Sequence, residues 1–194
     1  MKKTLGSAVL ASLLVFGLTG CGGGDAKPAE ESFDERCRIG GKLAPEWACG
    51  NANIEGAITA VGIAPISKAG RGFTTREAQA QGRSNLAQQI QSLVKDKVEQ
   101  FTRSTGVGDD EVVDKVSTQV SKQVAKVTLK GSKQIKSWEN ANTNELYVLM
   151  AVPEKSMNAE AKKQVKSSFK NDQALWQQFQ SKNALDSLEK EFPE

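Results

Sequence analysis

The sequence predicts an α+β domain in which helices cover one face of a small three-stranded antiparallel sheet. Three observations predict it: a short run rich in β-branched residues at 57–63, a stripe of apolar residues at helical spacing from Ala78 to Phe101, and the most apolar run of the mature chain at 146–152. A long helix and a second helix are therefore expected between the first strand and a hairpin, with further helices at the C-terminus. The 194 residues suffice for one domain and a tail.

The first strand and the long helix follow from local pattern. Residues 57–63 are short and β-branched and are stopped by Pro65, which is typical of a strand. Gly62 within this strand indicates a close approach by another backbone or helix. Residues 67–73 are expected to form a loop, and Thr74 with Glu77 fits a capping box at the start of the helix. The helical stripe begins with small residues and ends with large ones, so its first turns should lie closest to the sheet: Ala78, Gly82, Leu86, Ile90, Leu93, Val94, Val98 and Phe101.

Gly106 and Gly108 should end the long helix, and a second helix should follow. Valines at Val112 or Val113, Val116, Val120 and Val124 recur about every four residues, which favours a helix over the strand that valine propensity alone would indicate. Residues 127–139 are expected to be a strand, joined by the polar turn 140–144 to the apolar run 146–152. That run has the continuous apolar character of a central strand. Two more helices are predicted, at 154–170 and 172–191.

The N-terminus has the pattern of an export signal. Lys2 and Lys3 precede an apolar stretch of about 11 residues, which suits a signal peptide because a bilayer-spanning helix needs roughly 20. The stretch ends in the residues LTGC at 18–21, which resemble the bacterial lipobox. The resemblance implies cleavage after Gly20, diacylglycerol on the thiol of Cys21, and acylation of the new amine. An ordinary secretory signal with an incidental cysteine is the alternative.

The predicted organisation has four parts. Residues 1–20 form the signal peptide, residues 21–36 the lipidated cysteine and a flexible acidic linker, residues 37–153 the α+β domain, and residues 154–194 a C-terminal helical extension. By resemblance to lipoprotein sorting, an Asp directly after Cys21 would favour retention in the inner membrane. Gly22 stands there instead, so the outer membrane is expected as the location, with either face open.

Two further cysteines suit an exported protein. Cys37 and Cys49 are 12 positions apart, and disulfides persist in oxidising compartments outside the cytosol. We expect a disulfide between them that ties the irregular segment 38–48 into a compact loop. Two free thiols are the alternative.

Composition excludes several kinds of function. The chain has no histidine, which removes Ser-His-Asp and Cys-His catalysis, zinc sites with imidazole ligands, and histidine pH switches. The net charge is +3, and removal of Lys2 and Lys3 with the signal leaves a nearly neutral chain. A general nucleic-acid binder neutralises many phosphates, so no nucleic-acid partner is expected. We predict a non-enzymatic protein without metal or cofactor.

Four clusters are candidate binding sites, each with a structural alternative. Gly70, Arg71 and Gly72 precede a helix, where backbone N–H groups could hold an anion, but a simple connector explains them too. An acidic cluster is explained by a solvated helix start and lacks calcium-loop spacing; it contains Asp109, Asp110, Glu111 and Asp114. Two lysine sets could contact anionic headgroups or polysaccharide, or could simply be solvated; they are Lys130, Lys133 and Lys136, and Lys162, Lys163, Lys166 and Lys170.

Several of these patterns together resemble one family. They are the lipobox, the run 60–64 (AVGIA), the helix pattern around Gly82 and Leu86, and the hairpin residues Trp138 and Tyr147. They resemble the twenty-kilodalton membrane-associated lipoprotein family (LPP type), which includes the flagellar lipoprotein FlgP. The resemblance implies a small α+β fold without enzymatic activity, with envelope or motility proteins as partners. A homodimer or higher oligomer is also expected, formed through the exposed sheet face or an edge strand.

Overall fold

The computed structural model of the chain describes residues 36–193. The predicted signal peptide at 1–20, the lipidation residue Cys21 and the rest of the linker up to residue 35 lie outside these residues. The described part is mixed helix and strand, as predicted. Its strands are β1 (Arg38–Ile39), β2 (Lys42–Leu43), β3 (Ala57–Pro65), β4 (Lys133–Asn140) and β5 (Glu145–Pro153). Its α-helices are α1 (Arg71–Thr105), α2 (Asp110–Thr128), α3 (Glu154–Lys170), α4 (Gln173–Ser181) and α5 (Ala184–Glu191).

The main sheet has three antiparallel strands in the order β3-β5-β4. β5 is central, as its apolar run predicted, and its residues Leu146 to Met150 are all buried. β4 and β5 form the predicted hairpin, in which Trp138 pairs with Tyr147. A separate two-stranded ribbon, β1 with β2, precedes this sheet.

Helix α1 lies against the sheet through its smallest residues, as predicted. A Cβ atom added to Gly62 on β3 would clash with the backbone of Ala78 and Gly82 on α1. Further along the helix, Leu86, Ile90, Val94, Val98 and Phe101 are fully buried in the core, while Leu93 is partly buried against it. Gly106 ends the helix in the left-handed conformation, with φ of 62°.

The start of α1 differs from the prediction. The helix begins at Arg71, so Gly72 and Phe73 belong to it and not to a loop. The Thr74 hydroxyl does not cap the helix, because it accepts a hydrogen bond from the Ser67 N–H at 2.9 Å. Gly70 precedes the helix at φ of 99°, a conformation that glycine tolerates. The capping-box prediction was therefore wrong, since the threonine serves the preceding turn.

The predicted strand at 127–139 also begins too early. Val127 and Thr128 are the last residues of α2, and residues 129–131 form one turn of 3₁₀ helix before β4 starts at Lys133. Thr128 is buried at the end of the α2 stripe, and the every-fourth valine pattern continues into packing contacts there. Lys130 consequently lies in the connecting turn and not in the strand.

The C-terminal helices pack into the main core. Phe169 of α3 and Phe179 of α4 stack with ring centroids 5.5 Å apart, and Phe101 of α1 contacts both. The helix predicted at 172–191 is two helices, because Asn183 adopts φ of 49° and turns the chain between them. This turn lets Leu188 and Phe192 reach the core as well.

Candidate interaction surfaces

The predicted disulfide is present and fastens a segment over the second face of the sheet. Cys37 and Cys49 are bonded, with their Cα atoms 6.3 Å apart. Trp47 within the loop is buried against Tyr147 and Leu149 of β5. The expectation that this sheet face is exposed was therefore wrong for its middle part. The stapled segment supplies a small second core there.

A buried amide joins this segment to the hairpin. Asn140, fully buried at the end of β4, donates a hydrogen bond to the Ile39 carbonyl at 2.9 Å. Its side-chain oxygen accepts from the Asn142 N–H at 3.0 Å. Burial raises the pKa of the nearby Tyr147 hydroxyl, and its hydrogen bond to Glu145 adds to this shift. The polar groups of this junction therefore have partners within the protein.

Residues Gly70, Arg71 and Gly72 are exposed around the first turn of α1. The Arg71 guanidinium lies 3.3 Å from a carboxylate oxygen of Glu139 on β4. The Gly70 carbonyl accepts hydrogen bonds from the N–H groups of Phe73 and Thr74. The arginine thus has an acidic partner on the sheet, and the turn connects β3 to α1 over the end of the hairpin.

The acidic cluster begins α2. Asp109 caps the helix by accepting a hydrogen bond from the Val112 N–H at 2.9 Å, and Asp110 and Glu111 lie in the first turn. Asp114 pairs with Lys95 of α1 at 3.1 Å. Within residues 36–193, no three carboxylate or cysteine side chains are grouped closely enough to hold a metal ion.

The predicted lysine set on α3 lines a shallow depression of about 640 Å³. Lys162 is only 7% exposed and donates to Glu189 of α5 at 2.7 Å, while Lys166 lies 3.3 Å from the other oxygen. The hydrogen bond from Lys162 lowers the pKa of Glu189 below its ordinary value, and Lys166 adds to this. Lys170 covers the Trp176 ring at 5.0 Å. The sequence pattern indicated these lysines but gave no signal for Glu189, because only tertiary packing brings α5 to α3.

A second depression lies at one end of the sheet and was not predicted. It measures about 270 Å³ and its lining is mainly apolar. Ile135 on β4, 44% exposed, lies at its rim. Ile135 is also the extra residue of a bulge, because the β4–β5 register shifts between Gln134 and Lys136. A single isoleucine in a polar strand gave no signal for this site.

A family model for LPP20 lipoproteins matches residues 45–153, more than half of the chain. The chain belongs to the LPP20 lipoprotein family. The matched part of this LPP20 lipoprotein includes the three-stranded sheet, α1 and α2, while α3 to α5 follow it. A search of curated proteins found no significant match.

Family membership indicates a lipoprotein of the cell envelope. It agrees with the resemblance to the twenty-kilodalton lipoproteins stated above. The match to residues 45–153 shows the family and does not show membership in the flagellar FlgP branch. Among residues 36–193, no helix combines the length and the apolar character that a membrane crossing requires.

Proposed function

We propose that this LPP20 lipoprotein is held at the outer membrane by lipid on Cys21 and has a structural, non-enzymatic role. It acts through contacts with other envelope proteins. The family match over residues 45–153 carries this proposal, and the lipobox at 18–21 supports it independently. Acyl chains contribute about 0.8 kcal/mol per buried CH₂, so several chains on one residue anchor firmly.

Removal of the lipidated thiol tests the anchor. Cys21→Ser should move the protein from the membrane pellet to the soluble fraction. Gly23→Ser is the matched control, because it introduces the same residue two positions later and should leave the protein in the membrane. Recovery of Cys21→Ser in a carbonate-washed pellet would contradict the anchor.

A second pair of variants tests the outer membrane as the location. Gly22→Asp places an acidic residue directly after the lipidated cysteine, and we expect it to shift the protein to inner-membrane fractions of a sucrose gradient. Gly23→Asp adds the same charge one position later and should leave the distribution unchanged. Inner-membrane fractionation of the unaltered protein would overturn the assignment.

A more specific version of this proposal is that the envelope proteins it contacts belong to a motility assembly. It is supported by the resemblance to the family that includes FlgP. A deletion strain with reduced spreading in soft agar, restored by the gene, would support it. Normal swimming of that strain would leave a general envelope role.

The α3 depression favours one alternative, a binding module for an envelope glycan or a small anion. Lys163, Lys166 and Lys170 lie on this surface with the Ser167 hydroxyl, so several hydrogen-bond donors converge there. Gly70 to Gly72 form the weaker candidate, since they supply a single basic side chain, Arg71, which pairs with Glu139. A saturable rise in melting temperature with inorganic phosphate or an anionic sugar, absent in Lys166→Gln, would favour this alternative.

A further inference from the structure

The two edges of the main sheet are treated differently by the fold. On the outer edge of β3, the Asn85 side chain of α1 donates to the Val61 carbonyl at 2.8 Å. The Ile63 N–H donates to the Gln81 side chain of the same helix at 3.0 Å. Because these two edge groups are already bonded to α1, the helix obstructs an incoming strand along this part of β3.

The directions of the backbone groups on β4 follow from those on β3. The Ile63 N–H points away from β5. Because backbone groups alternate in direction along a strand, the N–H and C=O of the adjacent Gly62 point toward β5, where Gly62 pairs with Val148. By the same alternation along β5, the backbone N–H and C=O of Tyr147 point toward β4, where Trp138 is the paired residue. The backbone N–H and C=O of Trp138 therefore point toward β5 and not toward the outer edge.

The next residues on either side of Trp138 point outward. Ser137 and Glu139 thus present their backbone N–H and C=O groups at the outer edge of β4, and both residues are exposed. No other segment of residues 36–193 donates to or accepts from these backbone groups. Within residues 36–193, the outer edge of β4 at Ser137 and Glu139 is therefore an open edge.

The open edge adjoins the apolar depression. Ile135, the bulged residue of β4, is exposed at its rim, and the depression extends under Ile54, Ala57 and Pro153. A strand paired to β4 could place one apolar side chain there. Strand addition gains affinity from main-chain hydrogen bonds and specificity from such pockets.

The charge along this edge determines which strand fits. Lys130, Lys133 and Lys136 are exposed beside the edge, and Arg83 of α1 lies against Ser132 just before β4. The acid of this strand, Glu139, already pairs with Arg71. An acidic segment would meet opposite charge along this edge, whereas a second copy of β4 would bring two further lysines and a single acid to it.

We propose that the open edge of β4 is the docking site for an extended acidic segment of another envelope protein. The segment adds a fourth strand beside Ser137 and Glu139 and places an apolar side chain in the depression at Ile135. This inference rests on the proposed interaction role and names its surface and the chemistry of its partner. The docking site does not depend on the lipid anchor, so an experiment that contradicts one of these two proposals leaves the other standing.

A peptide pair tests the proposal. The protein is the mature chain from residue 21 with Cys21→Ser, and the probes are an eight-residue peptide of alternating Glu and Val and its counterpart with Lys in place of Glu. At saturation the acidic peptide should slow hydrogen exchange of the Ser137 and Glu139 amides by roughly tenfold or more. The basic peptide should leave both rates unchanged.

Charge-reversed variants complete the test. Lys133→Glu with Lys136→Glu should abolish the effect of the acidic peptide, while Lys122→Glu with Lys126→Glu on exposed α2 positions is the control and should retain it. Protection by neither peptide, or equal protection by both, would overturn the proposal. Concentration-dependent protection in the free chain would also overturn it, because a second copy would then occupy the edge.

Discussion

Gly62 on β3 lies directly against Gly82 on α1: a Cβ atom added to Gly82 would be 3.4 Å from the Cα of Gly62. This contact draws the helix close enough to the sheet for its neighbouring side chains, Gln81 and Asn85, to bond the edge of β3. The same pair of glycines thus positions the helix and closes one side of the sheet. On the other side, the proposed docking site is the outer edge of β4.

Gly62→Ala should be strongly destabilising. The new methyl group meets the Ala78 carbonyl and the Gly82 backbone, which cannot move without shifting the helix. We expect a loss of roughly 3 kcal/mol in the free energy of unfolding, measured by urea denaturation. Gly131→Ala is the control, because nothing lies within 4 Å of its added methyl group. Equal stability of the two variants would argue against the close contact.

The disulfide should stabilise the segment over the second sheet face. Replacement of both Cys37 and Cys49 by serine should lower the free energy of unfolding by about 3 kcal/mol, as expected for a loop of this length. The unaltered protein in reductant should match the double variant. A chain whose stability does not respond to either treatment would show that the loop adds nothing to folding.

Phe179→Ala tests whether the C-terminal helices belong to the core. Its ring stacks between Phe169 and Trp176 and is fully buried, so its removal should cost about 3–5 kcal/mol. Leu185→Ala changes a residue that is 44% exposed and should cost less than about 0.5 kcal/mol. If both variants unfold at the same denaturant concentration as the unaltered chain, α4 does not contribute to the core.

Glu189 should make stability depend on acidic pH. Because Lys162 lowers the pKa of Glu189 in the folded protein, this pair stabilises the fold above the ordinary glutamate value of 4.5. The contribution is lost as the pH falls through the lower folded pKa. In Glu189→Gln, the melting temperature should therefore fall less between pH 6 and pH 3 than in the unaltered protein. Parallel curves for the two proteins would contradict the assignment.

Sequence pattern predicted the elements whose signal is local. The β-branched run, the apolar central strand and the valines repeated every four residues each gave the correct element type, and Gly62 correctly indicated a close approach. The family resemblance was also confirmed by the match to residues 45–153. These features depend on period and residue size, which a sequence displays directly.

Boundaries and surfaces depended on tertiary contacts. Thr74 has the residue type of a helix cap, but its hydroxyl serves the Ser67 turn. Val127 and Thr128 have β-branched side chains, yet both lie in α2, where Thr128 is buried and Val127 is exposed. Trp47 covers the sheet from within the loop that the Cys37–Cys49 disulfide closes, and local sequence pattern does not display that placement. Glu189 gave no signal because its lysine partners are more than twenty positions away.

The central claim is that lipid on Cys21 anchors this LPP20 lipoprotein, and the mass of its mature N-terminus tests it most directly. Protein extracted from membranes with detergent should begin at Cys21 and carry the added mass of a diacylglyceryl group and an amide-linked acyl chain. The cleaved N-terminal peptide should lose that mass in Cys21→Ser. A mature chain that begins elsewhere, or an unmodified Cys21, would contradict the account.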